Sequence, residues 1–574
     1  MKAAGLAMKR EWPVLAALAL AVLLFASTFG LGLIREDAPA WQAPAGDMPT
    51  MLAGYYAVVD SPWRFPPTVT RRLIAPKQVS IVYSDSIPWL TLALKATGLG
   101  HAVNPLGLYL ALSYLLQAIG MIALLRSCGV RRGGVLFLGA ALALLFPAWL
   151  VRQFGHIALG GHWPILFALA LAVASARSGL TTRRGLWFAA LGALVMGLHL
   201  YLLIPVSACL AAALLAEVTE RRPGAWRRVV IWGGAFAVSV VLAAMLLGYG
   251  YGRGNSGGAA SLGVYSMNLM GPFLPQASAL FGQSFDKAWF TGTIDPTGGQ
   301  KFEGYNYLGA GILLMLLAAL ISLIPFRRGA AAIHASSPPS ESAAKFLPLI
   351  LALAALTLMA IGPRAYLGLH QVYALPLPQG EAANWLGFLR AHGRFFWAPG
   401  YMILAWALAR LDRRAPSPVL ITVGVAALAL QAFDVSALRD AVHRRLTQAE
   451  GPYFPPSLPA ARLKGWSFRF YPTVSCDPTV PIYQPGAQIS LLAIRKGGDS
   501  NATPLARTQN VDCRPPPDLT RNALPGDERV TVVLGLDARA AEPPPVVAAR
   551  TDCYRFTYGR LCGHGLAGVP GLIP

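Results

Sequence analysis

Apolar stretches separated by short basic loops occupy residues 13–434 of this chain. A helix of about 20 apolar residues crosses the hydrocarbon core of a bilayer, so the pattern predicts a mainly α, polytopic membrane protein with about eleven transmembrane helices. The predicted spans are 13–34, 103–125, 133–151, 163–177, 185–200, 201–217, 229–248, 305–325, 346–361, 395–410 and 417–434. Several are short for a straight crossing, and short or broken helices occur where a cavity reaches into the membrane.

Positive charge distinguishes the two sides of the predicted bundle, because cytoplasmic loops are enriched in Lys and Arg. Six short loops carry such clusters: Lys2, Lys9 and Arg10; Arg126, Arg131 and Arg132; Arg177, Arg183 and Arg184; Arg221, Arg222, Arg227 and Arg228; Arg327, Arg328 and Lys345; Arg410, Arg413 and Arg414. The longer loops at 35–102, 249–304 and 362–394 then face outward. We therefore expect a multi-pass protein of the bacterial inner membrane, with a cytoplasmic N-terminus and a periplasmic C-terminal domain.

Composition supports the membrane class and excludes one class of partner. The chain has 574 residues, of which 55% are hydrophobic and 13% charged, with a mean hydropathy of +0.50. These values are typical of polytopic membrane proteins. A net charge of +22 would suggest nucleic acid in a soluble protein, but orientation in the membrane accounts for much of it. We expect membrane lipids, and no nucleic acid, as partners.

The segment 435–574 has a different composition from the predicted membrane domain 1–434. It is rich in proline, and its alternating runs Ala487–Ile494 and Arg529–Leu536 predict strands. Four cysteines in an extracytoplasmic segment favour two disulfides. Of the three pairings, the one that closes the shortest loops joins Cys553 to Cys562 and Cys476 to Cys513. The sequence thus predicts a small, β-rich, disulfide-stapled domain.

The first outer loop, 35–102, has the features of more than a linker. Met48–Val59 mixes apolar and polar residues and predicts a helix lying in the membrane interface, with Trp63 as an interface anchor. Ser80–Leu99 is predicted to be re-entrant or interfacial, because a crossing there would turn every later basic loop outward. The loop 249–304 begins with a glycine-rich run and is predicted to be a flexible lid.

Two acids in this loop are candidate catalytic residues. Asp47 follows the first span closely, and a carboxylate there can take the proton from an acceptor hydroxyl that attacks a sugar carbon. Its structural alternative is an N-cap for 48–59. Asp85 lies in an apolar stretch, where an acid is costly and suggests function. Its alternatives are an N-cap or an ion pair with Arg71, Arg72 or Lys77.

Candidate substrate-binding residues occupy the same predicted side. Arg152, His156 and His162 suit a lipid phosphate or pyrophosphate, or hydrogen bonding at the interface. The spacing of the two histidines does not favour a zinc pair. Glu303 and Arg394 stand at the outer ends of predicted spans, where pairing with each other is the structural alternative. Two aromatic residues complete the candidate set, namely Tyr55 and Trp63.

Six strings carry a resemblance to known proteins: Gly46-Asp47, Ser61–Pro66, Ile81–Pro88, Gly155-His156 with His162-Trp163, Glu303–Gly309 and Gly393–Trp397. They resemble an uncharacterised family of bacterial polytopic membrane proteins that is similar to the C-type glycosyltransferases (GT-C fold). The resemblance covers roughly residues 10–435.

The resemblance implies transfer of a sugar from a polyprenyl-phosphate carrier to an envelope glycan, lipid or protein acceptor, with inversion. It makes Asp47 the base. Asp85 is the nearest equivalent of a second acid, which would position the acceptor or a divalent cation, Mg²⁺ or Mn²⁺, although no ligand cluster demands one.

Two other functions stay open at this point. A transporter or flippase for a lipid-linked glycan predicts internal repeats and charged residues within the helices, and neither is evident. An O-antigen-type polymerase or ligase acting on a pyrophosphate-linked oligosaccharide is poorly distinguished from the first function.

Overall fold

Helices form most of the structure, because the long apolar stretches satisfy their backbone hydrogen bonds internally. The computed structural model describes residues 2–252, 262–275, 277–281, 294–324, 343–377, 380, 387, 389–447, 451–463, 465–470, 483–505, 530–534 and 552–574. The elements of the first half are α1 (Lys2–Phe29), α2 (Met48–Val59), β1 (Val69–Ile74), β2 (Lys77–Ser80), α3 (Pro88–Ala96), α4 (Pro105–Ser127), α5 (Gly133–Leu144), α6 (Pro147–Leu150), α7 (Trp163–Ser178), α8 (Thr182–Met196), α9 (Leu203–Thr219) and α10 (Ala225–Leu246).

The second half continues the bundle and then forms a small sheet. Its elements are α11 (Ala310–Ile321), α12 (Leu347–Ile361), β3 (Arg364–Leu367), β4 (His370–Ala374), α13 (Trp397–Arg414), α14 (Ser417–Asp434), α15 (Ser436–Thr447), β5 (Phe468–Phe470), α16 (Tyr483–Arg495), β6 (Val530–Leu534), β7 (Cys553–Phe556) and β8 (Gly559–Cys562).

Seven of the described helical segments are long and apolar enough to cross a membrane, which indicates a multi-pass membrane protein. They are Glu11–Phe29, Pro105–Ser127, Ile157–Ser178, Leu200–Thr219, Ala225–Leu246, Ala344–Ile361 and Ser417–Asp434. The pair Gly133–Leu144 and Pro147–Phe154, bent by 43°, would be an eighth.

The prediction of eleven spans is therefore not confirmed by the described residues. The predicted spans 185–200 and 305–325 correspond to α8, with 15 residues, and α11, with 12. The predicted span 395–410 corresponds to α13, whose last turns carry several charged side chains. These three helices are too short or too polar for a straight crossing.

The basic loops meet at one end of the bundle. Arg177 donates hydrogen bonds to the carbonyls of Ser127 and Cys128 at the end of α4, and Arg222 donates to the carbonyl of Ser175 in α7. Such bonds satisfy the free carbonyls at helix C-termini. Further contacts at this end join Arg126 to Glu11, Arg132 to Ala415 and Arg410 to Ser322. The other ends of these helices carry the longer loops.

Helix α10 lies on the outside of the bundle and packs against α8 through small residues. Gly185 and Gly192 leave room for the rings of Trp232 and Phe236, and Ser239 donates to a backbone carbonyl of α8. Close approach at small residues is typical of helix pairs in membranes. The rest of α10 exposes large apolar side chains, including Trp226, Val230, Val238, Leu242 and Met245, as expected of a surface that faces lipid.

The helix predicted for Met48–Val59 is present as α2, and its position relative to the membrane interface stays a prediction. Every side chain from Met48 to Val58 is buried in the protein, where the helix packs against α16. The segment Ser80–Leu99 contains a short 3₁₀ turn and the nine-residue helix α3. Neither is long enough to span a membrane, as expected for a re-entrant or interfacial segment.

The C-terminal region contains a four-stranded sheet of order β5-β6-β8-β7, in which only the β5–β6 pair is parallel. Strand β6 falls within the predicted strand Arg529–Leu536, and the predicted Cys553–Cys562 disulfide is present. Cys476 and Cys513 lie outside the described residues. The predicted strand Ala487–Ile494 is wrong, because this run lies in helix α16 and is buried throughout. A short run buried on all sides has no periodicity that separates strand from helix.

Substituting Gly185 by alanine tests the packing of α8 against α10. The new Cβ would lie 2.1 Å from Cδ2 of Trp232, so overpacking should lower stability by about 1–3 kcal/mol and reduce the Tm in detergent. Gly234→Ala on α10 is the matched control, since its new Cβ would contact no described atom of another element within 4 Å. Both variants gain the same helix propensity from the change of glycine to alanine. Equal Tm values for the two variants would contradict this packing.

Candidate functional site

A cavity of about 790 Å³ opens among the loops at the end of the bundle opposite the basic loops. Five residues singled out from the sequence line it, namely Asp47, Asp85, His156, Glu303 and Arg394. The rest of its wall comes from elements far apart in the chain: Thr50, Val82, Tyr83, Ser84, Pro88, Leu159, Met196, Leu198, His199, Leu200, Tyr201, Tyr249, Tyr265, Phe302, Gly387, Arg390, Ala391, Tyr483, Pro504 and Leu505. The fold thus gathers most of the predicted chemistry in one place.

Asp47 directs its carboxylate toward other side chains and not toward the helix that follows it. It occupies the N-cap position of α2, but its side chain makes no capping hydrogen bond with the described backbone. One carboxylate oxygen lies 2.5 Å from Nδ1 of His156, and the other accepts a hydrogen bond of 2.9 Å from the Tyr483 hydroxyl. The structural alternative of a helix cap is therefore wrong for Asp47.

His156 bridges two carboxylates. Its Nδ1 faces Asp47, and its Nε2 lies 3.2 Å from Oε1 of Glu303. Burial opposes protonation of the ring, but the two carboxylates outweigh it and raise the pKa of His156 to about 9. The ring is consequently an imidazolium at neutral pH with both nitrogens engaged, which leaves it no lone pair for use as a base.

Glu303 is the centre of a buried ion network. Arg394 approaches it with two nitrogens, at 2.7 Å and 2.8 Å, and Nη1 of Arg152 lies 2.8 Å away. Burial raises the pKa of Glu303, but the cations of Arg394, Arg152 and His156 dominate and hold that pKa well below its usual range. The pairing of Glu303 with Arg394, weighed from the sequence as a structural alternative, is what the structure contains.

Two glycines bring the halves of this network together. A Cβ on Gly393 would lie 2.5 Å from Cα of Gly304, so only glycine allows the two backbones to approach so closely. Nδ2 of Asn306 donates to the carbonyls of both glycines. Gly304 and Gly393 therefore form one backbone contact. Each glycine is next in sequence to a charged residue, Glu303 or Arg394, and the contact brings these two side chains together.

Asp85 lies on a turn with unusual backbone geometry. Its φ is 54°, and the φ of Ile87 is 50°. A positive φ is costly for a β-branched residue such as Ile87, and strained backbone of this kind clusters at functional sites. Oδ1 of Asp85 lies 3.5 Å from Nε2 of His199. Burial raises the pKa of Asp85, but His199 leads the opposing interactions and the net effect lowers it. The partner of Asp85 in the structure is therefore His199, and not Arg71, Arg72 or Lys77 as considered from the sequence.

The turn that carries Asp85 is fixed against α2. Ser86 donates to the carbonyl of Met51 and lies 2.7 Å from the hydroxyl of Ser84. A Cβ on Gly54 would lie 2.1 Å from Oγ of Ser84, so the glycine provides the space in which the turn seats. Helix α2 therefore positions both candidate acids, with Asp47 at its N-cap and the Asp85 turn against its middle.

Four candidate residues lie outside the cavity wall. His162 is fully buried, stacked on Trp397 with ring centroids 4.1 Å apart and its Nδ1 3.0 Å from the Tyr401 hydroxyl. Arg152 is fully buried behind Glu303. The hydroxyl of Tyr55 donates to the Gly100 carbonyl, and the exposed ring of Trp63 lies under the ammonium of Lys95. These positions do not agree with direct phosphate binding by His162 or Arg152.

Sequence reasoning missed most of the wall, including its polar residues His199, Tyr201, Arg390 and Tyr483. The Arg394 guanidinium lies 4.4 Å from the Tyr201 ring centroid, and Arg390 lies 5.7 Å from that of Tyr265. Arg390 belongs to a loop predicted to face outward, and His199 lies at the end of a predicted span. These two positions are the features of the sequence that point to the site. Among the described residues, no group of three or more His, Cys, Asp or Glu is arranged to hold a metal ion.

These features define a multi-pass membrane protein with a polar, charge-lined cavity at one end of its helical bundle. The chain belongs to the family described as a domain of unknown function, DUF6311, whose model matches residues 18–436. No curated protein matches the chain significantly. The matched segment contains both candidate acids and the whole Glu303 network.

Replacing Glu303 by glutamine tests the network. Arg152, with 0% of its side chain exposed, would lose its carboxylate partner, and an unpaired buried charge costs about 3–5 kcal/mol. We expect a clearly lower Tm in detergent. Asp37→Asn is the control, since it breaks a pair with Arg35 in which both side chains are mostly exposed and should leave the Tm unchanged. A wild-type Tm for Glu303→Gln would refute the buried network.

The raised pKa of His156 predicts a pH dependence of stability. The pKa of His156 is higher in the folded protein than in the unfolded chain, so its protonated ring stabilises the fold. This contribution is complete below pH 6.5 and is lost as pH rises through about 9. The contribution is on the order of 3 kcal/mol. The Tm difference between wild type and His156→Asn, measured from pH 6 to pH 10, should shrink across this window. A difference that is constant with pH would show that His156 is not held as a cation.

Proposed function

We propose that this protein is an integral-membrane glycosyltransferase of the GT-C type, which moves a sugar from a polyprenyl-phosphate carrier to an envelope glycan, lipid or protein acceptor with inversion. The cavity would face the outer side of the bacterial inner membrane, with the basic loops in the cytoplasm. The observation that carries the proposal is that one cavity has the two candidate catalytic carboxylates, a cationic wall and an apolar wall.

The cationic wall suits a phosphate. Arg390 and Arg394 both line the cavity, and guanidinium groups bind phosphate oxygens with paired hydrogen bonds. Arg394 is held in place by Glu303 and by the ring of Tyr201, so its orientation is set before a ligand arrives. A fixed cation of this kind stabilises the negative charge that develops on a departing phosphate.

The apolar wall suits a prenyl chain. Met196, Leu198 and Leu200 line the cavity where α8 ends and α9 begins. Helix α10, which packs against α8, presents a broad apolar surface of the kind that faces lipid. A carrier lipid could therefore keep its chain in the bilayer while its phosphate reaches the arginines.

Asp47 is the residue we assign as the base. In the proposed step the acceptor oxygen attacks the anomeric carbon from the face opposite the carrier phosphate, and the bond from that carbon to the phosphate oxygen breaks. The acceptor proton passes to Asp47, and the electron pair leaves with the phosphate. Glu303 is occupied by two arginines and His156 has no free nitrogen, whereas 31% of the Asp47 side chain is exposed. Asp85 would orient the acceptor.

Asp47→Asn tests this assignment. In nanodiscs, with a panel of polyprenyl-phosphate sugars and an envelope extract as the acceptor source, we expect transfer to fall at least about 100-fold. Binding of polyprenyl phosphate should persist, because Asp47 does not form the cationic wall. Asp440→Asn, an exposed site on α15, serves as the control and should transfer normally.

Two outcomes would contradict the proposal. Undiminished transfer by Asp47→Asn would remove Asp47 from the role of base. A wild-type protein that binds polyprenyl phosphate yet transfers no sugar from the panel, and that moves the lipid between leaflets, would instead identify a transporter.

A further inference from the structure

Helix α16 of the C-terminal region holds the loop that carries Asp47. Gln484 accepts a hydrogen bond from the Gly46 backbone nitrogen and donates one to the Gly46 carbonyl, each 3.0 Å long. One turn further along α16, Gln488 donates to the carbonyl of Pro44. Three bonds from two glutamines thus fix the backbone on the N-terminal side of Asp47.

Tyr483, the first residue of α16, contacts the carboxylate of Asp47 itself. Its hydroxyl donates a hydrogen bond of 2.9 Å to Oδ1 of Asp47, while His156 engages Oδ2 from the opposite side. One partner is a neutral donor from the C-terminal region and the other a cation from the bundle. Together they determine the rotamer of Asp47 and the direction of its remaining lone pairs.

The other end of α16 is anchored to the first outer loop. Arg72 donates to the carbonyls of Ile494 and Gly498, and Arg495 donates to the carbonyl of Trp41. Residues after the helix pair with the edge of β1, through Ser500 with Arg72 and with Ala75. The helix is therefore fixed at both ends, so the position of Tyr483 is determined by the fold and not by the free rotation of a loop.

Residues 437–574 lie beyond the segment matched by the family model, which ends at 436. Even so, Tyr483, Pro504 and Leu505 form part of the cavity wall. The C-terminal region is thus more than an appended domain, because the cavity is incomplete without it.

We propose that α16 is a positioning element for the base, and that Tyr483 is a positioning residue that orients the Asp47 carboxylate. The effect on sugar transfer rests on the proposed function, whereas the orientation of the carboxylate does not. Without the Tyr483 hydroxyl, Oδ1 of Asp47 loses its hydrogen bond to α16, so the carboxylate should leave its fixed orientation.

Tyr483→Phe removes only the hydroxyl, and two readouts separate the possible results. The first is the rate of carbodiimide-promoted amine labelling at Asp47 at a fixed pH, followed by mass spectrometry, which reports the accessibility of the carboxyl group without any substrate. We expect this labelling rate to rise severalfold, because the carboxylate is no longer held by the Tyr483 hydroxyl. The second is sugar transfer, where kcat should fall roughly tenfold with little change in the KM for the donor.

Tyr366→Phe is the matched control, since it removes an exposed hydroxyl that bonds the side chain of Gln371 and should change neither readout. Gln484→Glu supplies a second variant, which keeps the shape of the side chain but loses the donor to the Gly46 carbonyl. It should also lower kcat, at an unchanged fraction of folded protein.

A higher labelling rate in Tyr483→Phe, in a protein whose wild type transfers no sugar, would uphold the positioning of Asp47 and refute the proposed function. Transfer by the wild type, together with an unchanged labelling rate and unchanged kcat in Tyr483→Phe, would overturn the positioning role. A lower Tm alone, with the labelling rate and kcat unaltered, would show that the Tyr483 bond is merely structural and would overturn the role as well.

Discussion

The charge network around Glu303 is the interaction on which the cavity depends. One carboxylate, that of Glu303, is shared by Arg152, Arg394 and His156. Glu303 precedes α11, Arg394 precedes α13, and Arg152 and His156 follow α6. Ions taken out of water are costly unless each finds opposite charge and hydrogen bonds. The network therefore fixes how these segments meet, and through His156 it also fixes Asp47. The contact of Gly304 with Gly393 is the steric condition that allows the ions to come within bonding distance.

Helix α2 is the second organising element, because it connects the bundle to the C-terminal region. Its N-terminus presents Asp47, Gly54 seats the Asp85 turn, and its remaining surface is covered by α16 and neighbouring elements. A fully buried helix of this kind has no polar face, and α2 is accordingly apolar along most of its length. The cavity thus lies at a junction of three parts, which are the first outer loop, the ends of the bundle helices and α16. Ligand sites commonly form at such junctions, where side chains from different parts converge.

The sequence predicted a large part of the site because acidic and basic residues at the ends of apolar stretches are conspicuous. Asp47, Asp85, His156, Glu303 and Arg394 were found in this way and line one cavity. His162 was selected by the same reasoning, yet it stacks on Trp397 in the core, since proximity in sequence to His156 does not determine which way a ring points. Tyr483 was missed because it lies 436 residues from Asp47 and only folding brings the two together.

By itself the sequence determined the membrane class, the clustering of basic residues in short loops and the charged residue types of the candidate site, and it favoured the Cys553–Cys562 pair. These properties are local, since hydrophobic length, charge and short spacing act residue by residue along the chain. Only the tertiary structure decided that Met48–Val58 is buried in the protein, that Ala487–Ile494 is a helix, and that Glu303 is shared by three cations. Each of these three features depends on which distant part of the chain packs against the segment. Burial and ion pairing arise from contacts between residues far apart in sequence, and no local pattern specifies those contacts.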